Sequence, residues 1–169
     1  TVMKVHGDSD DATQIFERMA QTRDQDSLIL CSRNKTRIKL NKHVRALREI
    51  ESESPVVGET LICLKNNYTT SCGPIFNGML GRIQSLTPKE EHWYDASIEF
   101  YDDGRIYTGD ISKHQFHQEK YLDKVEGVHY SKIGDRFDFG YALTVHKAQG
   151  SQASKVLLFE EYAPYMKGI

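Results

Sequence analysis

The densest chemistry in this chain lies in the stretch Gly140-Tyr-Ala-Leu-Thr-Val-His-Lys-Ala-Gln-Gly-Ser151. Thr144 and Ser151 offer hydroxyls, His146 an imidazole and Lys147 an ammonium. Gly150, with no Cβ, lets a backbone N–H come close to a phosphate. Donors of this kind hold an anionic polymer by its backbone and carry no base information. The apolar residues ahead of them, Phe137 to Leu143, read as a buried strand, and Val156-Leu-Leu-Phe159 reads as another. The polar stretch is then a loop at the carboxyl end of a strand, where ligands bind in open α/β sheets.

Other clusters are weaker. His114 and His117 are three residues apart, and His92 and His129 lie near them in sequence. A zinc site takes about four ligands, and no cysteine is close, so these read as surface histidines and no metal site is expected. Arg33, Lys35, Arg37, Lys39, Lys42, Arg45 and Arg48 form a basic run. Every-second-residue spacing winds around a helix instead of marking one face, so the run reads as a solvated surface helix. Trp93, Tyr94 and Tyr101 suit either base stacking or the core of a small barrel. Asn77-Gly78 reads as a turn. No nucleophile or acid–base pair stands out, so no catalytic residue is assigned.

The elements that must position the polar loop follow from pattern. Asp8 to Asp11 precedes Ile15, Phe16 and Met19, as at the start of a short helix. Ser27-Leu-Ile-Leu-Cys31 is a short apolar run, as in a strand buried on both faces. A second helix is expected from about Lys35 towards Glu49, with Ile38, Leu40, Val44 and Leu47 apolar. From Glu51–Gly58 to about Gly134 the style changes to short strands: Glu59–Leu64, Leu80–Leu86, Asp95–Tyr101 and Arg105–Thr108. Within them Ala96, Ile98 and Phe100 share one side, and Asp102-Asp-Gly104 is a hairpin turn signal. Close-spaced short strands suggest a small antiparallel barrel. The expected architecture is α/β. A partial parallel sheet with helices (1–57 and 135–169) carries an inserted antiparallel barrel (58–134).

The chain has 169 residues, 38% of them hydrophobic, which supports a folded core. Twenty-two Lys and Arg oppose 24 Asp and Glu, for a formal net charge of -2. A free-standing nucleic-acid coat is usually clearly basic, so any polyanion is met through a local patch. Cys31, Cys63 and Cys72 show no C-x-x-C spacing, against a disulfide framework or a structural zinc site. Cys31 and Cys63 lie in apolar runs and read as buried thiols, which fits a reducing cytoplasm. No run approaches the ~18 apolar residues of a membrane span and no signal peptide is visible. The start at Thr1 reads as a cut inside a longer protein.

On these residues a resemblance stands out. The spacing of Thr144, His146, Lys147, Gln149 and Gly150 resembles motif V of superfamily 1 helicases, in the form of the RecD-like, 5′-to-3′ branch. Leu28 to Asn41, with Ser32-Arg-Asn34 after a strand, resembles the motif IV region that opens the second RecA-like domain. Asn66-Asn-Tyr68 and Phe76-Asn-Gly-Met-Leu-Gly-Arg-Ile83 resemble the start of the Src-homology-type barrel inserted there. The resemblance implies that Thr144 and His146, with Lys147 beside them, contact single-stranded DNA, and that Gln149, Gly150, Ser151 and Gln152 face the nucleotide. Gln152 stands where the family usually has Glu, Ala153 where it is usually aromatic, and Ser32 where many relatives have Thr or Arg. ATP and Mg²⁺ are implied for the parent protein, with DNA repair or replication as its setting.

No G-x-x-x-x-G-K-[ST] phosphate loop is present, and motif VI is expected beyond Ile169. The chain is therefore expected to bind no nucleotide alone, to be inactive alone, and to need a missing N-terminal RecA-like ATPase domain as partner. The alternative expectation is a stand-alone nucleic-acid-binding or protein-docking module without ATPase activity.

Overall fold

The computed structural model describes residues 3, 9–21, 27–149, 151 and 153–161. In chain order the elements are α1 (Asp10–Gln21), β1 (Ser27–Cys31), α2 (Asn34–Leu47), β2 (Thr60–Cys63), β3 (Leu80–Lys89) and β4 (Trp93–Phe100). They continue with β5 (Ile106–Ser112), a 3-10 turn (Tyr130–Lys132), β6 (Phe137–Phe139), β7 (Ala142–Thr144) and β8 (Lys155–Phe159). The result is mixed α/β, with a parallel three-stranded sheet and a separate antiparallel five-stranded sheet. Residues 1–51 and 141–169 form one compact unit, and 52–140 the other.

In the first unit the strand order is β7-β1-β8, all parallel. The apolar run of β1 is central, as its composition demands, with Ile29 opposite Ala142 on one side and Leu157 on the other. Helix α1 starts where Ser9 Oγ accepts the Ala12 N–H at 3.2 Å, with Asp10 and Asp11 in its first turn. It buries Phe16 and Ala20, and the Phe16 ring meets Phe159 edge-on at 5.7 Å.

Helix α2 buries Leu40 and Val44, but also Arg37, Asn41 and Arg45. The reading of its basic run as a solvated face is therefore corrected for two members. Arg33, Lys35, Lys39 and Lys42 are exposed, whereas Arg37 is 7% and Arg45 4% accessible. Arg37, Asn41 and Arg45 recur every four residues and share a face. Arg37 Nε donates to the Asn34 side-chain oxygen at 3.2 Å. Arg48 extends the same side, with its guanidinium 4.9 Å from the Tyr141 ring centroid and its Nε donating to the Ala20 carbonyl at 2.9 Å.

In the second unit the order is β5-β4-β3-β2-β6. Ala96, Ile98 and Phe100 all point into the core, as their alternation requires. The turn at Asp102-Asp-Gly104 closes through the Gly104 N–H to the Phe100 carbonyl at 3.0 Å. Strand β3 carries a bulge between Ile83 and Ser85, bending the sheet. Asp135, just ahead of the outer strand β6, then bridges to the other outer strand, β5. The Asp135 N–H donates to the Asp110 carbonyl, and the Ser112 N–H donates to the Asp135 carbonyl, both at 2.8 Å. Gly134 permits this approach: its φ is +75°, and a Cβ there would lie 2.8 Å from the Asp110 oxygen. The Asp135 carboxylate accepts from Asn67 Nδ2 at 2.9 Å and from the Tyr107 hydroxyl at 2.7 Å. Burial, and then the neighbouring Asp135 charge, push the Tyr107 phenol far above its ordinary range.

Two further expectations change. Phe137 to Leu143 is not one strand: β6 pairs antiparallel with β2, and β7 pairs parallel with β1. The break falls at Gly140, where a Cβ would lie 3.0 Å from the Leu61 carbonyl carbon. The histidines are not uniformly on the surface. His92 and His114 are half-buried with Nδ1 and Nε2 at 3.0 Å, and the His117 side chain is 14% exposed. Among the described residues no group of three or more His, Cys, Asp or Glu is placed to hold a metal. No described helix is long and apolar enough to cross a membrane.

Candidate nucleic-acid interface

Thr144 ends β7 opposite Cys31, the last residue of β1. The Val145 N–H still donates to the Cys31 carbonyl at 3.0 Å, so the ladder runs one residue past the strand. The chain then curls. The Thr144 carbonyl accepts N–H groups from Lys147 at 2.9 Å and Ala148 at 3.1 Å, and Ala148 accepts from Ser151 at 3.0 Å. Thr144 Oγ1 lies 3.4 Å from the Lys147 nitrogen, a long capping contact.

This geometry sorts the residues picked from sequence. Thr144 is buried, 7% accessible, at the base of the turn. His146, Gln149 and Ser151 are exposed and Lys147 is half-buried. The imidazole and ammonium thus leave the carboxyl end of a parallel strand within one tight turn. Gly150 and Gln152 lie outside the described residues.

Two residues that the sequence did not single out hold this end of the sheet. Asn41, 1% accessible, donates from Nδ2 to the Ala142 carbonyl at 3.1 Å and accepts the Ala142 N–H on Oδ1 at 2.9 Å. One side chain thereby satisfies both outward main-chain groups of an edge residue, two residues before the turn. The only sequence signal was an amide at a helix position where the period calls for a core residue.

Glu161 is the second. Its carboxylate accepts the N–H groups of Ser32 at 2.7 Å and Arg33 at 2.9 Å, and the Thr36 hydroxyl. Helix α2 has no side-chain cap from its own N-cap residue, Arg33. Glu161 does that work from beyond β8, filling with a protein carboxylate the place where helix N-termini attract anions. Burial raises the Glu161 carboxyl, but the bonds from Thr36, Ser32 and Arg33 outweigh it and hold it below its ordinary value. Burial, then the nearby Glu161 charge, push the Cys31 thiol up to about 11. Cys31 therefore stays protonated, with its sulfur 3.6 Å from the Leu143 carbonyl.

No protein-family model matches the sequence, and no curated protein matches it significantly. Solved structures do. The chain is similar to a Pif1 helicase from Bacteroides in complex with ADP-AlF3 and ssDNA. Sequence identity is 17% and the TM-score 0.54, and the match covers 92% of this chain and 40% of that one. A Bacteroides Pif1 bound to ssDNA matches at 15% identity and a TM-score of 0.49, covering 92% of this chain and 44% of that one. The first likeness shows the fold. The chain spans less than half the length of the structures it matches.

Proposed function

We propose that this chain is part of an ATP-driven DNA helicase of superfamily 1, in its RecD-like, 5′-to-3′ branch, and forms its second RecA-like domain with an inserted barrel. The observation that carries this reading is the turn after β7, which sets an exposed His146 and a half-buried Lys147 at the carboxyl end of a parallel strand. In this reading Thr144 sets the turn, and His146 and Lys147 grip the backbone of single-stranded DNA without reading its sequence. Gln149, Gly150, Ser151 and Gln152 face a nucleotide held mainly by another domain. In this reading the triphosphate is cradled by that other domain: this sequence carries no phosphate loop, and the N-terminus of α2 is taken by Glu161. The chain is one wall of a cleft, and its partner is the N-terminal RecA-like ATPase domain of the same protein.

The test is anisotropy of a labelled single-stranded oligonucleotide titrated with the chain over a range of salt. Replacing His146 and Lys147 together by alanine is expected to weaken binding about tenfold. It should also flatten the slope of log affinity against log salt by about 0.7, the value for one lost phosphate contact. Unchanged affinity and slope would overturn the DNA-facing assignment of this turn.

A further inference from the structure

Among the aromatic rings that the barrel unit leaves exposed, two lie together. Tyr68 is 66% and Phe76 45% exposed, and the rings meet edge to face with centroids 6.2 Å apart. The loop that carries them is braced from within. Asn67 and Ile75 exchange backbone bonds of 3.0 and 2.8 Å. Asn66 accepts the Asn77 N–H at 2.8 Å and donates to the Tyr68 hydroxyl at 3.3 Å. Arg105 Nη1 donates to the carbonyls of Cys72 and Pro74 at 3.1 and 2.8 Å. The two rings are held outward by a loop that is tied down on both sides.

Charge says what suits them. Residues 60–89 contain no Asp or Glu but hold Lys65 and Arg82, besides a Lys89 that is paired with Asp110 at 3.0 Å, although acids outnumber bases in the whole chain, 24 to 22. A flat, apolar group carried on a polyanion fits such a surface, and a nucleobase is that group. The groove of about 380 Å³ that Asn67 and Thr69 line is polar and includes Asp110 and Asp135. Those carboxylates disfavour a phosphate or an apolar peptide side chain in the groove, so contact here falls on the rings.

We propose that Tyr68 and Phe76 form a stacking platform for bases of single-stranded nucleic acid, separate from the turn after β7. This rests on the single-strand binding proposed above. The probe is an oligothymidylate carrying one 2-aminopurine, titrated with the whole chain. Stacking quenches 2-aminopurine, so the wild-type chain should dim it on binding. Replacing Tyr68 and Phe76 together by alanine should abolish the quenching and weaken binding about tenfold, the scale of one lost aromatic stack. Tyr68→Trp, which keeps a ring, should retain both. The His146→Ala, Lys147→Ala variant should keep quenching at saturation while losing affinity. Full quenching and unchanged affinity in the Tyr68, Phe76 variant would overturn the platform and leave the helicase reading standing. A wild-type chain with no affinity for the strand would overturn both.

Discussion

The two sheets solve one problem in different ways. Each has outer strands whose main-chain groups need partners. In the parallel unit the Ala142 groups of β7 are met by a single amide, Asn41. In the barrel Asp135, just ahead of β6, meets β5 through two backbone bonds and the Tyr107 hydroxyl, and Asn67 adds a bond from between β2 and β3. The first solution depends on one side chain and sits beside the candidate interface. The second is distributed, and no single side chain carries it. The polar turn is therefore mounted on the part of the molecule that is easier to loosen.

The sharpest way to break this contrast is Asn41→Leu. It leaves a buried N–H and a buried C=O unpaired and is expected to cost about 3 kcal/mol. Hydrogen exchange at the Ala142 amide reads it directly, and exchange as slow as in the wild type would sink the idea. Asp135→Ala removes the bonds to Asn67 and Tyr107 but keeps both backbone bonds. It should cost the barrel less, about 2 kcal/mol by urea unfolding, and a loss larger than that for Asn41→Leu would reverse the comparison.

Glu161→Gln is expected to have the smallest effect, about 0.5–1 kcal/mol for a weakened helix cap at a half-buried position. Its signature is in pH. The folded carboxyl lies below its ordinary value of 4.5. Its contribution is thus complete above that value and fades as pH falls through the folded one. The wild-type chain should lose its advantage over the variant on acidification, and parallel stability curves would show that the carboxylate does not cap the helix.

Local features were legible in the sequence. Ser27–Cys31 announced a strand buried on both faces, and Ala96, Ile98 and Phe100 announced a core-facing side. The polar turn was visible because its residues adjoin one another. What escaped was long-range or conformational. Asn41 meets a partner 101 residues away, and Glu161 reaches back 129 residues to Ser32. No spacing rule encodes such distances. The split of Phe137–Leu143 between two sheets was hidden because both halves are apolar. Gly140, where a side chain would collide with β2, was its only mark. Arg37 and Arg45 misled because charge suggests solvent, whereas both are buried on the face of α2 that they share with Asn41.

The pairing of β1 also has a consequence for the order in which the molecule assembles during synthesis. Both strands flanking β1 come late in the chain, after the whole of 52–140. The barrel's strands are contiguous in that stretch, so its ladders are complete before β1 has a neighbour. As the chain leaves the ribosome, the inserted module closes first. The first helix pair and its strand wait, apolar surfaces unmatched, for the residues that bring the polar turn.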